Sequence, residues 1–290
     1  MRLNTAVLPA VLLVLVGCAA GQVNRSEVLG QTDFLAATFN IRYVSLRSGL
    51  GDWESRRSSV TDMLTDLRAD LVAFQEMQTF DGGHYRPENL QLSWLKQQLP
   101  DYRFAAVGDP TVYPSTQPIM YSVNRLELLE QGFFFFSPEP DILYSRPWKG
   151  GYPSFCSWAR FRDRTSNLTI QVYNVHLDSR SIATRVSSSR LIAERIRSLK
   201  RQGEPVMVLG DFNAFRSNRP IEILSKSGLT VSANRGSTYH LNKGINLMPA
   251  IDHVLVSLPL TLLSVEVIRK KYGEDWPSDH YPVVARIGSR

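Results

Sequence analysis

The 290-residue chain holds only two cysteines, Cys18 and Cys156. Two thiols cannot build a disulfide framework, and a zinc site made of cysteine is excluded. Beyond the N-terminus, no apolar stretch reaches the ~20 residues that a membrane-spanning helix needs. Internal repeats and low-complexity tracts are absent, and no Pro/Gly/Ser linker separates two halves. These absences exclude solenoids and strings of domains. What remains is one domain, and 43% hydrophobic residues suffice for its core. Acidic residues are outnumbered, 27 against 33 basic ones, for a formal net charge of +6. That balance suits an anionic partner: nucleic acid, a phosphorylated metabolite or a lipid headgroup. The basic residues are scattered, except for Arg195, Arg197, Lys200 and Arg201, which fall on one predicted helix as a solvated face.

The first residues, MRLNTAVLPAVLLVLVGC, read as a secretory signal peptide, with Arg2 as its basic start and Ala6 to Val16 too short to span a bilayer. Leu15-Val16-Gly17-Cys18 resembles a bacterial lipobox, which implies cleavage before Cys18 and a lipid on that residue. The chain therefore divides into a signal peptide over 1–17, a lipidated tether over 18–32 and a domain over 33–290. The expected location is the membrane surface of an exported lipoprotein. In a Gram-negative envelope, Ala19 in place of Asp points to the outer membrane or periplasmic face. With Cys18 acylated, Cys156 has no intramolecular partner and is expected to pack as a small hydrophobe. We expect a monomer with no obligate protein partner.

The hydrophobic pattern alternates between strand and helix periods. Strands are expected from Asp33 to Tyr43, over Leu71–Phe74, over Tyr102–Val107, over Gln117–Tyr121, from Leu126 to Phe136, over Leu168–Val172, over Val206–Leu209, over Ala250–Val256, from Thr261 to Ile268 and over Tyr281–Ile287. Helices are expected over Trp53–Asp66, over Asn89–Leu99, from Ser179 or Ser181 to about Gln202, and around Ile221–Lys226. The two strands over 117–121 and 126–136 are expected to be adjacent, and the strand over 261–268 to neighbour that over 250–256. Phe133 to Phe136 reads as a strand buried on both faces rather than a platform for stacking bases. The Pro- and Gly-rich segment from Ser137 to Tyr152, with Tyr144, Arg146, Trp148 and Lys149, reads as a long surface loop near the site.

Polar residues stand where these strands end. Val206-Met207-Val208-Leu209 runs into Gly210-Asp211-Phe212-Asn213-Ala214. A buried strand needs the apolar run but has no need of a carboxylate and an amide at its exit. Such side chains at a strand mouth suit a hard cation or a phosphate. The pattern recurs at Asn40, Glu76, His176, Asp252, and the pair Asp279 and His280.

The order Thr-Phe-Asn (38–40), Gln-Glu (75–76), Asn-x-His-Leu-Asp (174–178), Gly-Asp-Phe-Asn-Ala (210–214), Ile-Asp-His (251–253) and Ser-Asp-His (278–280) resembles the endonuclease/exonuclease/phosphatase, or DNase-I-like, superfamily. The resemblance spans residues 33–287. Its His-Leu-Asp form and Thr238-Tyr239-His240 are most similar to the carbon-catabolite-repressor-type branch. It implies an α/β (α+β) four-layer sandwich, two packed β-sheets flanked by helices. It implies that Glu76, Asn40 and Asp279 serve a divalent metal, Mg²⁺ or Mn²⁺. It implies that Asp211 and Asn213 orient water and bind phosphate, that His176 contacts the phosphate or leaving group, and that Asp252 holds the ring of His280. Asp178 and His240 are open between substrate contacts and pairing inside the sheet.

The chemistry points the same way. Phosphate diesters repel anionic nucleophiles, so hydrolysis needs a cation on the nonbridging oxygens and an oriented water. Oxygen ligands suit Mg²⁺ or Mn²⁺ rather than Zn²⁺. The expected activity is a lipid-anchored phosphoester hydrolase, foremost a phosphodiesterase on nucleic-acid or nucleotide-like substrates. The alternatives are a phosphatase or phospholipase on the same fold, or a binding module that has lost catalysis.

Overall fold

The computed structural model describes residues 33–289 apart from 46–50, 82–83, 86–87, 200 and 202. The expected signal peptide, tether and lipidated Cys18 lie outside the described residues.

Side chains alternate along a strand, so each strand feeds two layers. In β1 (Phe34–Asn40), Phe34 and Ala36 enter one apolar cluster, whereas Leu35, Ala37 and Phe39 enter another. In β3 (Leu71–Gln75), Leu71 and Ala73 go inward, Val72 and Phe74 outward. The same split runs through β10 (Thr169–His176), β11 (Val206–Asp211) and β13 (Asp252–Val256), where Ile170, Val172, Met207, Leu209, Val254 and Val256 face the first cluster. That shared cluster is the seam between two six-stranded sheets. One has the order β14-β15-β1-β3-β7-β6, with β6 (Tyr102–Ala105), β7 (Ile119–Ser122), β14 (Leu260–Val267) and β15 (Val283–Ser289). The other is β12-β13-β11-β10-β9-β8, with β8 (Leu126–Phe135), β9 (Phe155–Asp163) and β12 (Thr230–Val231). Each sheet has one parallel pair, β1 with β3 and β10 with β11.

The outward faces are covered by helices. α1 (Gly51–Leu67) and α2 (Leu90–Gln98) bury Trp53, Val60, Met63, Leu64, Leu92 and Leu95 against the first sheet. α3 (Ile182–Leu199) and α4 (Arg219–Lys226) bury Ile192, Ile196, Ile221 and Leu224 against the second. The expected four layers are therefore present. Asn89 caps α2, its Oδ1 accepting the Leu92 N–H at 3.0 Å, and Ser181 Oγ accepts the Thr184 N–H at 3.1 Å before α3.

Two neighbour assignments are corrected. β7 and β8 lie in different sheets, and β14 pairs with β15 rather than β13. In both cases consecutive apolar runs cross the seam, because a strand buried on one side carries no mark of which sheet it joins. A small third sheet, β2 (Val44–Ser45), β4 (Thr79–Asp81) and β5 (His84–Tyr85), has strands too short to show a period. Phe134, Phe135 and Phe136 are fully buried, as expected, whereas Phe133 is half-buried; Cys156 is buried beside Phe134 and Phe136.

Candidate active site

The inward face of each central strand runs from apolar core to polar plug to charged rim. Below the rim, Gln75 Nε2 donates to Thr38 Oγ1 at 3.1 Å and, across the seam, to Asn174 Oδ1 at 2.8 Å. Asn174 Nδ2 donates back to the carbonyls of Phe74, at 2.7 Å, and Gln117, at 3.0 Å. Each polar group in this plug is buried and partnered, so it joins the sheets instead of weakening the core.

One step further along the strands lie the charges. Strand register sets His176 beside Asp211 and Asp211 beside Asp252. Gly210 permits the close approach of β10 and β11: its φ is +154°, and a Cβ there would sit 1.9 Å from the Val175 carbonyl oxygen. Glu76 breaks the alternation. Following inward-facing Gln75, it would point toward the helices, but its φ of +58° turns it back to the rim. Its Oε1 accepts from Asn40 Nδ2 at 3.2 Å, and the same amide reaches Asp211 Oδ2 at 3.2 Å. Asn40 Oδ1 in turn accepts the Arg42 N–H at 3.0 Å. Asn40 thus spans two carboxylates with its NH₂ group, while its oxygen accepts a local backbone N–H.

His176 Nε2 lies 3.9 Å from Glu76 Oε1 and 3.6 Å from Asp211 Oδ2. On the other side, His280 Nδ1 lies 3.0 Å from Asp252 Oδ2 and its Nε2 3.8 Å from Asp211 Oδ2. Asp252 is fixed by its backbone, whose N–H donates to Thr238 Oγ1 at 3.1 Å. Asn213, at φ +46°, donates its backbone N–H to Asp211 Oδ1 at 2.8 Å and its side-chain amide to the Leu177 carbonyl at 2.9 Å. Asp279 is half-buried in the same cleft.

These groups line a cleft of about 600 Å³ that includes Glu76, His176, Asp211, Asn213, Asp279 and His280. It also includes Arg42, Tyr43, Ser179 and Tyr239, which the sequence reading did not single out. The available signal was proximity: Arg42 and Tyr43 directly follow the Asn40 strand exit, and Tyr239 lies in the Thr-Tyr-His stretch. Behind the wall, Arg56 is buried and donates to the carbonyls of Ile41, Arg42 and Pro277 at 2.7, 2.7 and 2.9 Å. It clips the β1 exit to the loop carrying Asp279 and His280. Burial, with the nearby Arg42 charge, lowers its pKa to about 10, so it stays charged at neutral pH.

Two expected contacts do not line this cleft, although Asp178 lines the groove beside it. His240 is buried behind it, stacked on Tyr281 at 4.0 Å between ring centroids, with Nδ1 accepting the Gly244 N–H at 3.2 Å. Burial first and the His280 charge second push its pKa down to about 4. Its aromatic packing uses it for support, not for substrate contact. Asp178 lies just past β10, where Oδ1 accepts the backbone N–H groups of Arg180 (2.8 Å) and Ser181 (2.6 Å). Its carboxylate shapes the loop entering α3 instead of pairing inside the sheet.

The electrostatics set the chemistry. Burial disfavours charge on Asp211, Asp252 beside it adds to the effect, and its pKa rises to about 6 although His280 and His176 pull it down. Burial alone would lower the His280 pKa; the carboxylates of Asp252, Asp211 and Asp279 override it and hold it up to about 10. Among the described residues, Asp211, Asp252 and His280 form a group whose ligand atoms lie within 4.8 Å of one another. His280 Nδ1 is taken by Asp252, so the oxygens of Glu76 and Asp211, converging on the Asn40 amide, are the better donors. That all-oxygen donor set fits a hard divalent cation.

The sequence matches the endonuclease/exonuclease/phosphatase family over residues 37–280. A search of curated proteins found no match. Among solved structures, an endonuclease/exonuclease/phosphatase family protein from Bacteroides thetaiotaomicron superposes with a TM-score of 0.76 at 24% identity, covering 89% of this chain and 98% of that one. The mannosyl-6-phosphatase of Bacteroides thetaiotaomicron VPI-5482 gives 0.74 at 23% identity, over 88% and 99%. D. rerio TDP2, complexed with single strand DNA product, gives 0.65 at 14%, over 89% and 99%. These likenesses share the DNase-I-like fold seen here in two packed sheets and their helices. With the family pattern matched from β1 through His280, the chain belongs to the endonuclease/exonuclease/phosphatase family.

Proposed function

We propose that the chain is an exported, lipid-anchored, Mg²⁺- or Mn²⁺-dependent phosphodiesterase acting on nucleic-acid or nucleotide-like diesters. The observation that carries the diester reading is the shape of the cleft. Past His176 it opens into a second groove of about 470 Å³, and the two share Tyr43, Glu76, His176 and Ser179. A phosphate at that junction has room for a substituent on each side, as a diester requires. The similarity of the His-Leu-Asp and Thr-Tyr-His forms to the carbon-catabolite-repressor-type branch supports the nucleotide-like substrate.

The residues divide the work by charge. Glu76 and Asp211, braced by Asn40, hold the cation, and Asp279 faces the same space. When bound, the cation supplies the positive charge that an anionic phosphate needs among these carboxylates. His280, kept charged by Asp252, presents Nε2–H to the negative charge that develops on phosphate oxygens. Asp211 also accepts a hydrogen bond from the attacking water and orients it with Asn213. His176, on the groove side, faces the departing oxygen.

A monoesterase reading is favoured by one observation, the likeness in fold to the mannosyl-6-phosphatase. The deciding experiment compares bis-p-nitrophenyl phosphate with p-nitrophenyl phosphate, and then natural diesters with sugar phosphates, in Mg²⁺ and in Mn²⁺. Diester preference supports the leading reading, and monoester preference replaces it with the second. No turnover on any member of the panel would leave a binding module on this fold.

A further inference from the structure

The groove beyond His176 has a floor with unmet hydrogen-bonding capacity. Gln117 is 3% exposed; its Nε2 donates to the Phe155 carbonyl at 2.7 Å, while its Oε1 is buried with no partner among the described residues. Ser154 Oγ, also on that floor, is likewise buried and unpartnered. An orphaned buried polar atom costs about 1–3 kcal/mol, so two in one groove need a reason. The rim carries the complementary feature. Tyr152 is 68% exposed, and Tyr43, at the junction with the catalytic cleft, is 39% exposed. Asp178 fixes the backbone of Arg180, and both residues line the groove.

We infer that this groove is the subsite for one substituent of the phosphodiester, and that the substituent is a planar polar ring of the nucleobase kind. With the Gln117 and Ser154 side chains turned toward the groove, an N–H at its edge satisfies Gln117 Oε1, Ser154 Oγ supplies the adjoining hydrogen bond, and the Tyr152 ring covers its face. Arg180 faces any further phosphate on that side. The inference rests on the phosphoesterase reading and narrows its substrate class.

The test pairs two esters of one leaving group: the p-nitrophenyl ester of thymidine monophosphate and methyl p-nitrophenyl phosphate. Wild type should favour the thymidine ester, and Tyr152→Ala, Ser154→Ala and Gln117→Leu should each reduce the ratio of kcat/KM values roughly tenfold, mainly through KM. Gln117→Leu also removes the bond to Phe155, so the Tyr152 and Ser154 variants decide if it fails to fold. An unchanged ratio overturns the subsite. A second measurement needs no turnover: equilibrium dialysis of thymidine monophosphate, ribose 5-phosphate and inorganic phosphate with wild type and the same variants. Selective loss of thymidine monophosphate binding in the variants upholds the subsite even if the enzyme hydrolyses nothing. Equal binding of ribose 5-phosphate and thymidine monophosphate overturns the planar ring.

Discussion

Asp252 Oδ2 lies 3.0 Å from His280 Nδ1, and both side chains are buried. The two act as one unit, so their losses should not add. His280→Ala should lower kcat/KM by about 10³-fold, Asp252→Asn by about 10²-fold or more, and the double variant little beyond His280→Ala. Thermal melts check that each variant folds. Additive losses would separate the two residues, and near-normal activity in His280→Ala would end the assigned role.

Glu76 reaches the rim only through its positive φ, and its charge is what a cation would bind. Glu76→Gln keeps the shape and removes the charge. Activity should fall roughly 100-fold or more, with partial recovery at high Mg²⁺. Metal affinity by calorimetry should fall in parallel. Full wild-type turnover in excess chelator would remove the cation from the reaction.

Gly210 offers a test independent of chemistry. Ala at this position would drive a Cβ into the Val175 carbonyl. Neither strand can retreat without breaking register, so Gly210→Ala should cost more than about 4 kcal/mol or abolish soluble expression. A melting temperature close to wild type would show that the two strands can separate.

His240 sets a pH dependence of stability. Its folded pKa of about 4 lies below the ordinary value near 6.5, so the unfolded chain binds the proton first as pH falls. Its contribution is present above pH 6.5 and is lost on acidification, by roughly 2 kcal/mol at pH 5. His253, buried with Nε2 2.9 Å from the Ala214 carbonyl oxygen, is also shifted down, chiefly by burial, and acts in the same direction. Asp211 opposes them, because its raised pKa lets the folded state take up a proton near pH 6. The readout is therefore a difference between proteins: denaturant midpoints of wild type and His240→Asn should converge between pH 7 and 5. Parallel profiles would mean that His240 titrates normally.

The anchor is tested at Cys18. Cys18→Ser should move the protein from the membrane fraction to the soluble fraction and abolish labelling with a fatty-acid analogue. One acyl chain binds membranes only marginally, so stable retention in wild type calls for more than one. Unchanged fractionation would refute the lipobox reading.

Period-two alternation made most of the architecture legible, since the site residues at the ends of β1, β10, β11 and β13 continue the same inward series that builds the core. Glu76 was legible only as a motif residue; its alternation gives the wrong face, because a single αL residue resets the phase without leaving a mark in composition. β9 escaped notice as a separate strand, although Phe155, Ala159, Phe161 and Asp163 alternate with more exposed positions. Arg56 was legible only in its pairing with Asp52 one helical turn away, because its other three acceptors are backbone carbonyls supplied by distant segments. His240 shows the converse: a histidine beside a motif, whose aromatic neighbours Tyr281 and Trp276 arrive only through folding.

The plug of Thr38, Gln75 and Asn174 ties the lifetime of the site to that of the whole domain. Its hydrogen bonds join both sheets directly beneath the charges, so Asn40 cannot part from His176 and Asp211 without opening the seam. Local fluctuation is thereby confined to the rim loops, and the amides under the cleft exchange with solvent only through global opening. Loss of activity in denaturant then follows the unfolding transition itself, with no inactive folded species preceding it.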